Sequence, residues 1–366
     1  MKYSVSRNQI LEELQLLQGI VEKRNTMPIL ANILMDVQAD RVELLGTDLE
    51  VGLRTSFEAR VEEPGSVTVS GKKIFEIVKS LPEQCEINFR ENGDLMMEIS
   101  AGESRFKVLC LSKDDYPQVP DPKFEKKAIL PLEKFQEMID RVYYAIAQEQ
   151  RYYLNGALMI LREDFLELVS TDGHRLSHTS SALEGMKPDR EIRVIVAKKT
   201  LGELRKIIDG QLEFDSDENN LFFKVNNRIL ISRIIESKFP NFEAVIPKEN
   251  QNVLILERAE FTSAIRRVSL LSAERSRGIK FTIRKKQLEL FSSNPEMGEA
   301  RDRLAVEYKG PDLEIGFNSQ YLLDFLTTVN AERVRFELKD ENSAALLKPE
   351  IEEEIKYSYV LMPMKI

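Results

Sequence analysis

The sequence predicts an α+β protein in which one unit of helices and strands is repeated three times. Three kinds of element carry this prediction: a strand followed by an amphipathic helix, a strand that runs directly into a second helix, and a closing group of strands. Each kind occurs three times in the same order, at intervals of 121 to 127 residues. This period is far longer than that of a solenoid, so each unit should be a small domain with its own core.

The first helix of each unit is marked by apolar residues at helical spacing. In the first unit Ile10, Leu11, Leu14 and Leu17 share one face, and Ser6 is a suitable N-cap. The same spacing predicts the matching helices of the later units, with apolar faces at Phe135, Met138, Ile139 and Val142, and at Phe261, Ile265 and Val268.

The second helix of each unit follows a strand without an intervening loop. We predict these helices over residues 72–81, 198–208 and 320–329. Each unit then closes with strands, the last of them over 106–111, 229–235 and 356–362. Pro-rich joints at 116–122 and 239–247 separate the units. We therefore predict domains at 1–120, 128–247 and 252–366.

Residues 151–176 contain the most informative local pattern. Apolar runs at 157–162 and 165–170 flank a polar pair and predict a hairpin. Beyond the hairpin, Gly173 suits a tight turn with positive φ, and Asp172 can accept hydrogen bonds from the backbone of that turn. This arrangement should bring Leu154 close to the turn at 171–176.

Composition indicates a globular protein. The 366 residues are 42% hydrophobic and 31% charged, and no apolar run approaches the roughly 20 residues of a membrane span. With no signal peptide in view, we expect a cytoplasmic protein in which Cys85 and Cys110 are reduced, buried thiols. The net charge of −9 weakens a nucleic-acid function without excluding it, because a protein that encloses DNA can be acidic outside and basic along its lining.

Several short motifs, each weak alone, occur together in a specific order. They are TDLE at 47–50, RYYLNG at 151–156, TDGHRL at 171–176, KFP at 238–240, IGFN at 315–318 and YVLMPMKI at 359–366. Over essentially the whole chain this set resembles the bacterial DNA polymerase III beta subunit family, the replicative sliding clamps. The resemblance implies a nucleoid-associated, non-catalytic processivity factor. Its three DNA-clamp domains would place helices along the lining of a ring and antiparallel sheets outside.

The resemblance also implies a head-to-tail homodimer that closes through a heterologous interface. In the family, the last strand of the first domain meets a helix of the third domain. The matching residues here are Phe106 and Val108 on one side, and Leu270 and Leu271 on the other. All four are apolar, as a permanent interface requires, although ordinary core positions would be apolar too.

Duplex DNA, bound without sequence preference, is the ligand that the resemblance implies. The family's contact positions map to Arg24, Lys72, Gln148, Tyr152 and Tyr153, and the basic second helix of the middle unit adds Lys198, Lys199 and Lys206. Lysines directed at phosphates give salt-sensitive binding that permits sliding, and tyrosines can stack on an exposed base. A solvated lysine face and core tyrosines are the alternatives. The third unit instead carries Arg266, Arg267, Arg275 and Arg277.

A groove for partner peptides is the second implied site. One wall would consist of Leu154, Thr171, Gly173, His174, Arg175 and Leu176, and the other of Pro240, Val245, Asn318, Tyr321, Val360, Leu361, Met362, Pro363 and Met364. Methionines near the chain end make an adaptable apolar surface. In the family such grooves bind short linear motifs of the replicative polymerase, the clamp loader and repair proteins. Ala244 and Ser276 replace a basic and an aromatic residue, which predicts a shallower, less basic groove.

Two other functions compete with this interpretation. Asp172, His174 and His178, with Ser177 and Thr179 nearby, would be the residues of a catalytic or metal site. The two histidines lie on a predicted turn and strand, and the chain has no phosphate loop or nucleophile motif, so we expect no cofactor, no metal and no catalysis. The second alternative is a scaffold that presents peptide grooves without binding DNA. Neutralising Lys198, Lys199 and Lys206 would separate the two, because only a clamp would lose its association with DNA.

Overall fold

The computed structural model describes residues 1–21, 27–124, 127–148, 152–182 and 191–365. The chain packs as two compact units, which do not coincide with the three sequence repeats. From here on, the first unit is Met1–Leu132 with Lys199–Ile234, and the second unit is Glu133–Lys198 with Ile235–Ile366. Helices and antiparallel sheets alternate throughout these ranges, as the α+β prediction requires. No helix in the described ranges is long and apolar enough to cross a membrane.

In residues 1–124 the helices are α1 (Arg7–Leu17) and α2 (Gly71–Ser80). The strands are β1 (Lys2–Ser6), β2 (Asn32–Val37), β3 (Arg41–Thr47), β4 (Val51–Glu58), β5 (Arg60–Glu63), β6 (Gly65–Ser70), β7 (Glu86–Glu91), β8 (Met96–Ala101) and β9 (Ser104–Leu111). The predicted face of α1 is confirmed at Ile10, Leu14 and Leu17, which are fully buried. Ser6 precedes the helix as predicted, but its hydroxyl donates to the Gln9 side chain instead of capping the backbone.

In residues 127–235 the helices are α3 (Leu132–Tyr143) and α4 (Lys198–Leu204). The strands are β10 (Ala128–Pro131), β11 (Gly156–Arg162), β12 (Phe165–Thr171), β13 (Arg175–Ala182), β14 (Ile192–Ala197), β15 (Gln211–Ser216), β16 (Asn220–Val225) and β17 (Arg228–Arg233). The predicted hairpin is confirmed by the antiparallel pairing of β11 with β12. Helix α4 ends earlier than predicted, because the Lys206 amide bonds to the carbonyl three residues back in a tightened last turn.

In residues 251–365 the helices are α5 (Arg258–Ser269) and α6 (Ser319–Thr328). The strands are β18 (Asn252–Glu257), β19 (Gly278–Arg284), β20 (Gln287–Asn294), β21 (Gly298–Ala305), β22 (Leu313–Asn318), β23 (Arg333–Leu338), β24 (Ala345–Pro349) and β25 (Ile355–Leu361).

Two of the sheets continue from one repeat into the next. The 13-stranded sheet of the first unit has the order β10-β15-β16-β17-β4-β3-β2-β6-β9-β8-β7-β1-β5, so β17 of the middle repeat pairs with β4 of the first. In the second unit, the 8-stranded sheet has the order β14-β11-β12-β13-β25-β24-β23-β18, and β25 pairs with β13. A 4-stranded sheet, β21-β20-β19-β22, completes the second unit. The middle repeat therefore contributes strands to both compact units.

The three repeats share one strand register. In each repeat, residues that lie opposite one another on neighbouring strands form a row across the sheet. The first row begins at the residue four positions before the first helix. Its members are Tyr3, Phe89, Ile99 and Phe106 in the first repeat; Ala128, Phe214, Phe223 and Leu230 in the middle repeat; and Leu254, Phe336, Leu347 and Tyr359 in the third. A second row begins at the residue three positions before the second helix of each repeat. Its members are Thr68, Leu34, Leu45 and Arg54 in the first repeat; Ile195, Leu158, Val169 and His178 in the middle repeat; and Gly316, Lys280, Phe291 and Arg301 in the third. The triplication is thus a repetition of geometry, residue for residue along these rows.

Candidate peptide groove and DNA-facing surfaces

The turn between β12 and β13 is held by its own side chains. The Asp172 carboxylate accepts from the amides of His174 (3.0 Å) and Arg175 (3.1 Å), and the Thr171 hydroxyl accepts from the Gly173 amide (3.1 Å). Gly173 has φ 91°, the positive value predicted for this position, which costs a glycine nothing. The chain end is tied to the same turn, since the Met362 amide donates to the His174 carbonyl at 3.0 Å.

Arg175 joins this turn to the third repeat. Its guanidinium donates to Asp172 (2.9 Å), to Asp324 of α6 (2.5 Å) and to the Tyr144 carbonyl (2.6 Å). It also lies over the Tyr321 ring, 4.2 Å from the centroid. Arg175 is buried, so its charge is fully engaged inside the fold. It therefore positions the groove wall, and its own side chain is not offered to a peptide.

The floor under the predicted groove is a buried apolar cluster within the second unit. Leu154, Leu176 and Val360 pack in this cluster together with Phe239 and Phe242, which were not predicted from the sequence. All five side chains are buried, so they support the groove from below. The sequence feature that could have revealed these two phenylalanines is their position on either side of Pro240. That segment, taken alone, indicates only a boundary between domains. Leu361 is likewise buried, but it packs in the separate core of the third repeat. It can support the groove but has no surface to contact a ligand.

The remaining groove residues differ in what they can offer a peptide. Gly173, His174, Pro240, Val245 and Met362 are exposed, while Asn318, Tyr321, Pro363 and Met364 are half-buried. The Asn318 side chain caps α6 by accepting from the Gln320 amide at 2.9 Å, so it is already engaged. Burial raises the pKa of Tyr321, which keeps this phenol neutral beside Arg175. Apart from the exposed His174 ring, the accessible surface is therefore mainly apolar, with exposed Met362 as its most adaptable member.

The predicted DNA-contacting lysines of the first unit fall into two classes. Lys72 on α2 is largely exposed and only 3.7 Å from Glu76 on the next turn, a weak surface pair. Lys199 is held: its ammonium donates to the Ile20 carbonyl (2.9 Å) and contacts the shielded carboxylate of Asp48 at 2.5 Å. Lys206 is paired with the buried Glu203 at 2.8 Å. Lys72 is thus the freest cation of the three.

The corresponding residues of the second unit are less exposed. Lys198 is half-buried, donates to the Ile146 carbonyl (3.1 Å) and lies over the Tyr143 ring. Burial, followed by repulsion from Arg175, lowers the pKa of Lys198. Gln148 is exposed, whereas Tyr153 packs against the apolar cluster of the groove. Arg24 lies outside the described residues, as does the side chain of Tyr152. In the third repeat, Arg266 and Arg275 are exposed and make no ion pair with any described residue.

The predicted subunit-closing residues lie beside two open strand edges. In the first unit, β9 pairs with β8 along residues 104–109, and no described strand pairs with its other edge there; Phe106 and Val108 are half-exposed on this edge. In the second unit, β20 is the only described strand that pairs with β21, and Leu271 lies next to the first residue of β21, Gly298. Leu270 is 73% exposed, and Leu109 and Met297 are 68% and 59% exposed. Strand β21 could not be predicted from the sequence, because its residues are mostly charged and contain almost no apolar signal.

The structure keeps the residues of the catalytic alternative apart or engages them elsewhere, as far as the described ranges extend. The His174 ring is exposed, while His178 pairs with Glu167 at 3.2 Å; this hydrogen bond is the main cause of the lowered pKa of Glu167. The Ser177 hydroxyl is buried and donates to the Arg141 carbonyl, so it is not a free nucleophile. Within the described ranges, no three potential metal ligands lie together.

Comparison with known proteins gives three domain matches in sequence order. Residues 1–120 match the DNA polymerase III beta subunit, N-terminal domain, residues 129–241 its central domain, and residues 243–365 its C-terminal domain. The chain is 36% identical to the beta sliding clamp of Pseudomonas putida over 372 residues, and 34% identical to that of Escherichia coli K12 over 371, with each chain fully covered. Among solved structures it resembles griselimycin-bound DnaN sliding clamps from Pseudomonas aeruginosa (34% identity, TM-score 0.94) and Bartonella birtlesii (35%, 0.95), again over the full length of both chains.

Proposed function

The chain belongs to the DNA polymerase III beta subunit family, the bacterial beta sliding clamps, and we propose that it encircles duplex DNA and makes the replicative polymerase processive. The observation that carries this proposal is the match to all three family domains, in order, along one chain. The protein is a non-catalytic subunit. We place its domains at 1–120, 128–247 and 252–366, and the protein itself in the cytoplasm with the nucleoid. Retention on circular but not linear DNA would distinguish a clamp from a peptide-presenting scaffold.

A ring requires a second copy of the chain, joined to the first by a strand pairing that we call the joint. The strand pairings between repeats inside one chain predict which residues lie opposite each other at this joint. At the first junction, Leu230 of β17 lies opposite Leu53 of β4; at the second, Tyr359 of β25 lies opposite Ser177 of β13. Leu230, Tyr359 and Phe106 are equivalent members of the first row. Leu53, Ser177 and Ala300 are also equivalent, because each comes one residue before its repeat's member of the second row (Arg54, His178 or Arg301). If the third junction repeats the first two, Phe106 of one copy lies opposite Ala300 of the other.

This register pairs residues of matching chemistry across the joint. On the side of the helices, Val108 would lie opposite Gly298, where Leu271 closes over both. On the other side, Lys107 would lie opposite Glu299, and Glu103 opposite Arg303. Arg105 would face Arg301, whose charge is partly offset by Glu289 at 3.6 Å.

The register also accounts for exposed apolar side chains. Leu109 of one copy would face Met297 of the other, and these are among the most exposed large apolar residues of the described chain. Cross-strand apolar and ionic pairs each contribute roughly 0.2–1 kcal/mol. A continuous strand pairing with apolar cover is what a lasting subunit joint requires.

Contact with DNA would be sequence-independent and carried by exposed cations. Lys72 and its neighbour Lys73 on α2, with Arg266 and Arg275 of the third repeat, are exposed side chains that can reach phosphates. Lys199 serves instead to hold Asp48, so its neutralisation would leave a shielded carboxylate without its partner. Loss of DNA binding in a Lys199 variant would therefore not separate a clamp from a scaffold, and Lys72 is the better target.

The groove of the second unit is proposed to bind short apolar motifs of the polymerase, the clamp loader and repair proteins. Ala244 is exposed beside Phe242 and Val245, so a longer side chain there would project without displacing the floor. Ala244→Arg should strengthen binding of a family-type peptide with an acidic residue by roughly twofold to fivefold, the range of a solvent-exposed ion pair. Fluorescence polarisation with an acidic peptide and its amide counterpart would measure this. Equal affinity of both proteins for the acidic peptide would contradict the less basic groove.

A further inference from the structure

The first unit contains a hollow of about 390 Å³ at the junction of the first and middle repeats. Its apolar lining comes from Leu49, Val51, Pro117, Val119, Pro120 and Ile231. Glu50 and Arg233 stand at its polar margin, and both are exposed and without an ion pair to any described residue. A small apolar concavity with a few polar groups at its margin is the usual form of a ligand site.

Leu49 is held at this hollow in a costly conformation. Its φ of 78° is in the left-handed region, and its side chain is 45% exposed. The turn is fixed by Asp48, whose carboxylate accepts from the amides of Glu50 (3.0 Å) and Val51 (2.7 Å). A non-glycine residue in this conformation costs on the order of 1–3 kcal/mol. Gly173 occupies the corresponding place in the second unit without strain, whereas the Leu49 side chain is held at the hollow at a conformational cost.

The hollow corresponds, element by element, to the predicted peptide groove. The shared strand rows align the turn at 47–51 with the turn at 171–175, and Ile231 of β17 with Val360 of β25. The Pro-rich segments contribute Pro117 here and Pro240 there. Two positions differ in charge, because Glu50 replaces His174 and Arg233 replaces Met362. The same frame is therefore present twice, once with His174 and Met362 at its margin and once with the opposite charges of Glu50 and Arg233.

We propose that this hollow is a second docking site for an extended peptide of a partner protein. The peptide would carry an apolar anchor flanked by one basic and one acidic residue. The anchor would contact Leu49, Val119 and Ile231, and the flanking charges would pair with Glu50 and Arg233. The proposal rests on the proposed function, because it extends the peptide-binding frame of the second unit to the first. Partners that carry two such motifs could then hold one protomer at two points and gain avidity.

The test uses the full-length protein and one probe, the acetylated and amidated pentapeptide Lys-Leu-Leu-Phe-Glu, in isothermal titration calorimetry. Met362→Asp places a charge in the groove of the second unit, while Leu49→Gly removes the anchor contact of the hollow and relieves its strain. Because it relieves strain, Leu49→Gly should fold and should unfold at a higher temperature than wild type. Arg233→Glu provides a second variant, in which only the charge of the margin is reversed.

We expect two peptides per wild-type chain, and one in Met362→Asp whose affinity falls at least tenfold when Leu49→Gly or Arg233→Glu is added. A single peptide per wild-type chain that is lost in Met362→Asp and unchanged in Leu49→Gly would overturn the second site while leaving the proposed groove intact. A single peptide lost only in Leu49→Gly would support the hollow and count against the groove. No binding to wild type would overturn the second site for this peptide class.

Discussion

Phe106→Asp should separate the proposed dimer into monomers, with the dissociation constant raised by about a thousandfold or more. In the proposed register, Phe106 lies opposite Ala300 of the other copy, beside Gly298 and Leu271. A carboxylate there would lose its hydration without gaining a cation, at a cost of about 4 kcal/mol or more. Sedimentation equilibrium over a concentration series measures the change, and circular dichroism checks that the half-exposed site still permits folding.

The neighbouring residue gives a matched control for this substitution. Arg105→Asp introduces the same side chain one position away, on the opposite side of β9, where the register places it across from Arg301. There it replaces a like-charge pair with an attractive one, so the dimer should be unchanged or slightly tighter. Dissociation by both variants, or by neither, would contradict the proposed register.

Arg175→Ala should destabilise the second unit by about 3 kcal/mol. Removing the guanidinium leaves the partly shielded carboxylates of Asp172 and Asp324 without their common cation, and leaves the Tyr144 carbonyl without a donor. Breaking a buried pair by removing one partner costs about 3–5 kcal/mol, and the lower value applies because both carboxylates keep some contact with water. The change is measured as the loss of hydrogen-exchange protection in β13 and β25 at neutral pH.

The control for Arg175 is a surface arginine of the same unit. Arg162 is half-exposed and lies 3.4 Å from both Glu167 and Glu191. Arg162→Ala should therefore change the free energy of unfolding by less than about 1 kcal/mol. An equal effect of the two substitutions would mean that Arg175 does not hold the turn and α6 together.

The elements of this fold could be predicted because their causes are local. The face of α1 follows from the spacing of Ile10, Leu14 and Leu17, and the turn at Gly173 follows from glycine's access to positive φ and the acceptor of Asp172. The triplication was visible for the same reason, since three repeats of one pattern keep the same order. These features depend on residues within a few positions of one another.

Which side chains are already paired or buried inside the fold could not be predicted, because the residues that they contact are distant in sequence. Lys199 was interpreted as a DNA contact from its place in a lysine run, but its charge is held by Asp48, 151 residues away. Leu361 was placed in the groove by its motif, yet strand alternation turns it into the core. The open edge of β21 gave no apolar signal, and its proposed partner became apparent only from strand rows that the structure aligns.

A closed ring of two chains around DNA should be held on a circular duplex by topology, and a covalently closed joint makes this retention measurable. Lys107→Cys and Glu299→Cys would stand opposite each other at the joint, within about 4.5–5.5 Å between Cβ atoms, close enough for a disulfide after a small adjustment. Cys85→Ser removes the more accessible native thiol. Cys110 can stay, because burial raises its thiol pKa to about 11 and leaves it unreactive.

Protomers diluted to monomers are mixed with nicked circular plasmid, concentrated at low salt, oxidised and washed in roughly 1 M salt, where the Debye length is about 3 Å and surface attraction is screened. If the protein is a clamp, the cross-linked ring stays on the circle through the wash and leaves when a restriction enzyme linearises the DNA. Failure of the cysteine pair to cross-link, loss of protein in the wash, or equal retention on circular and linear DNA would contradict the closed ring.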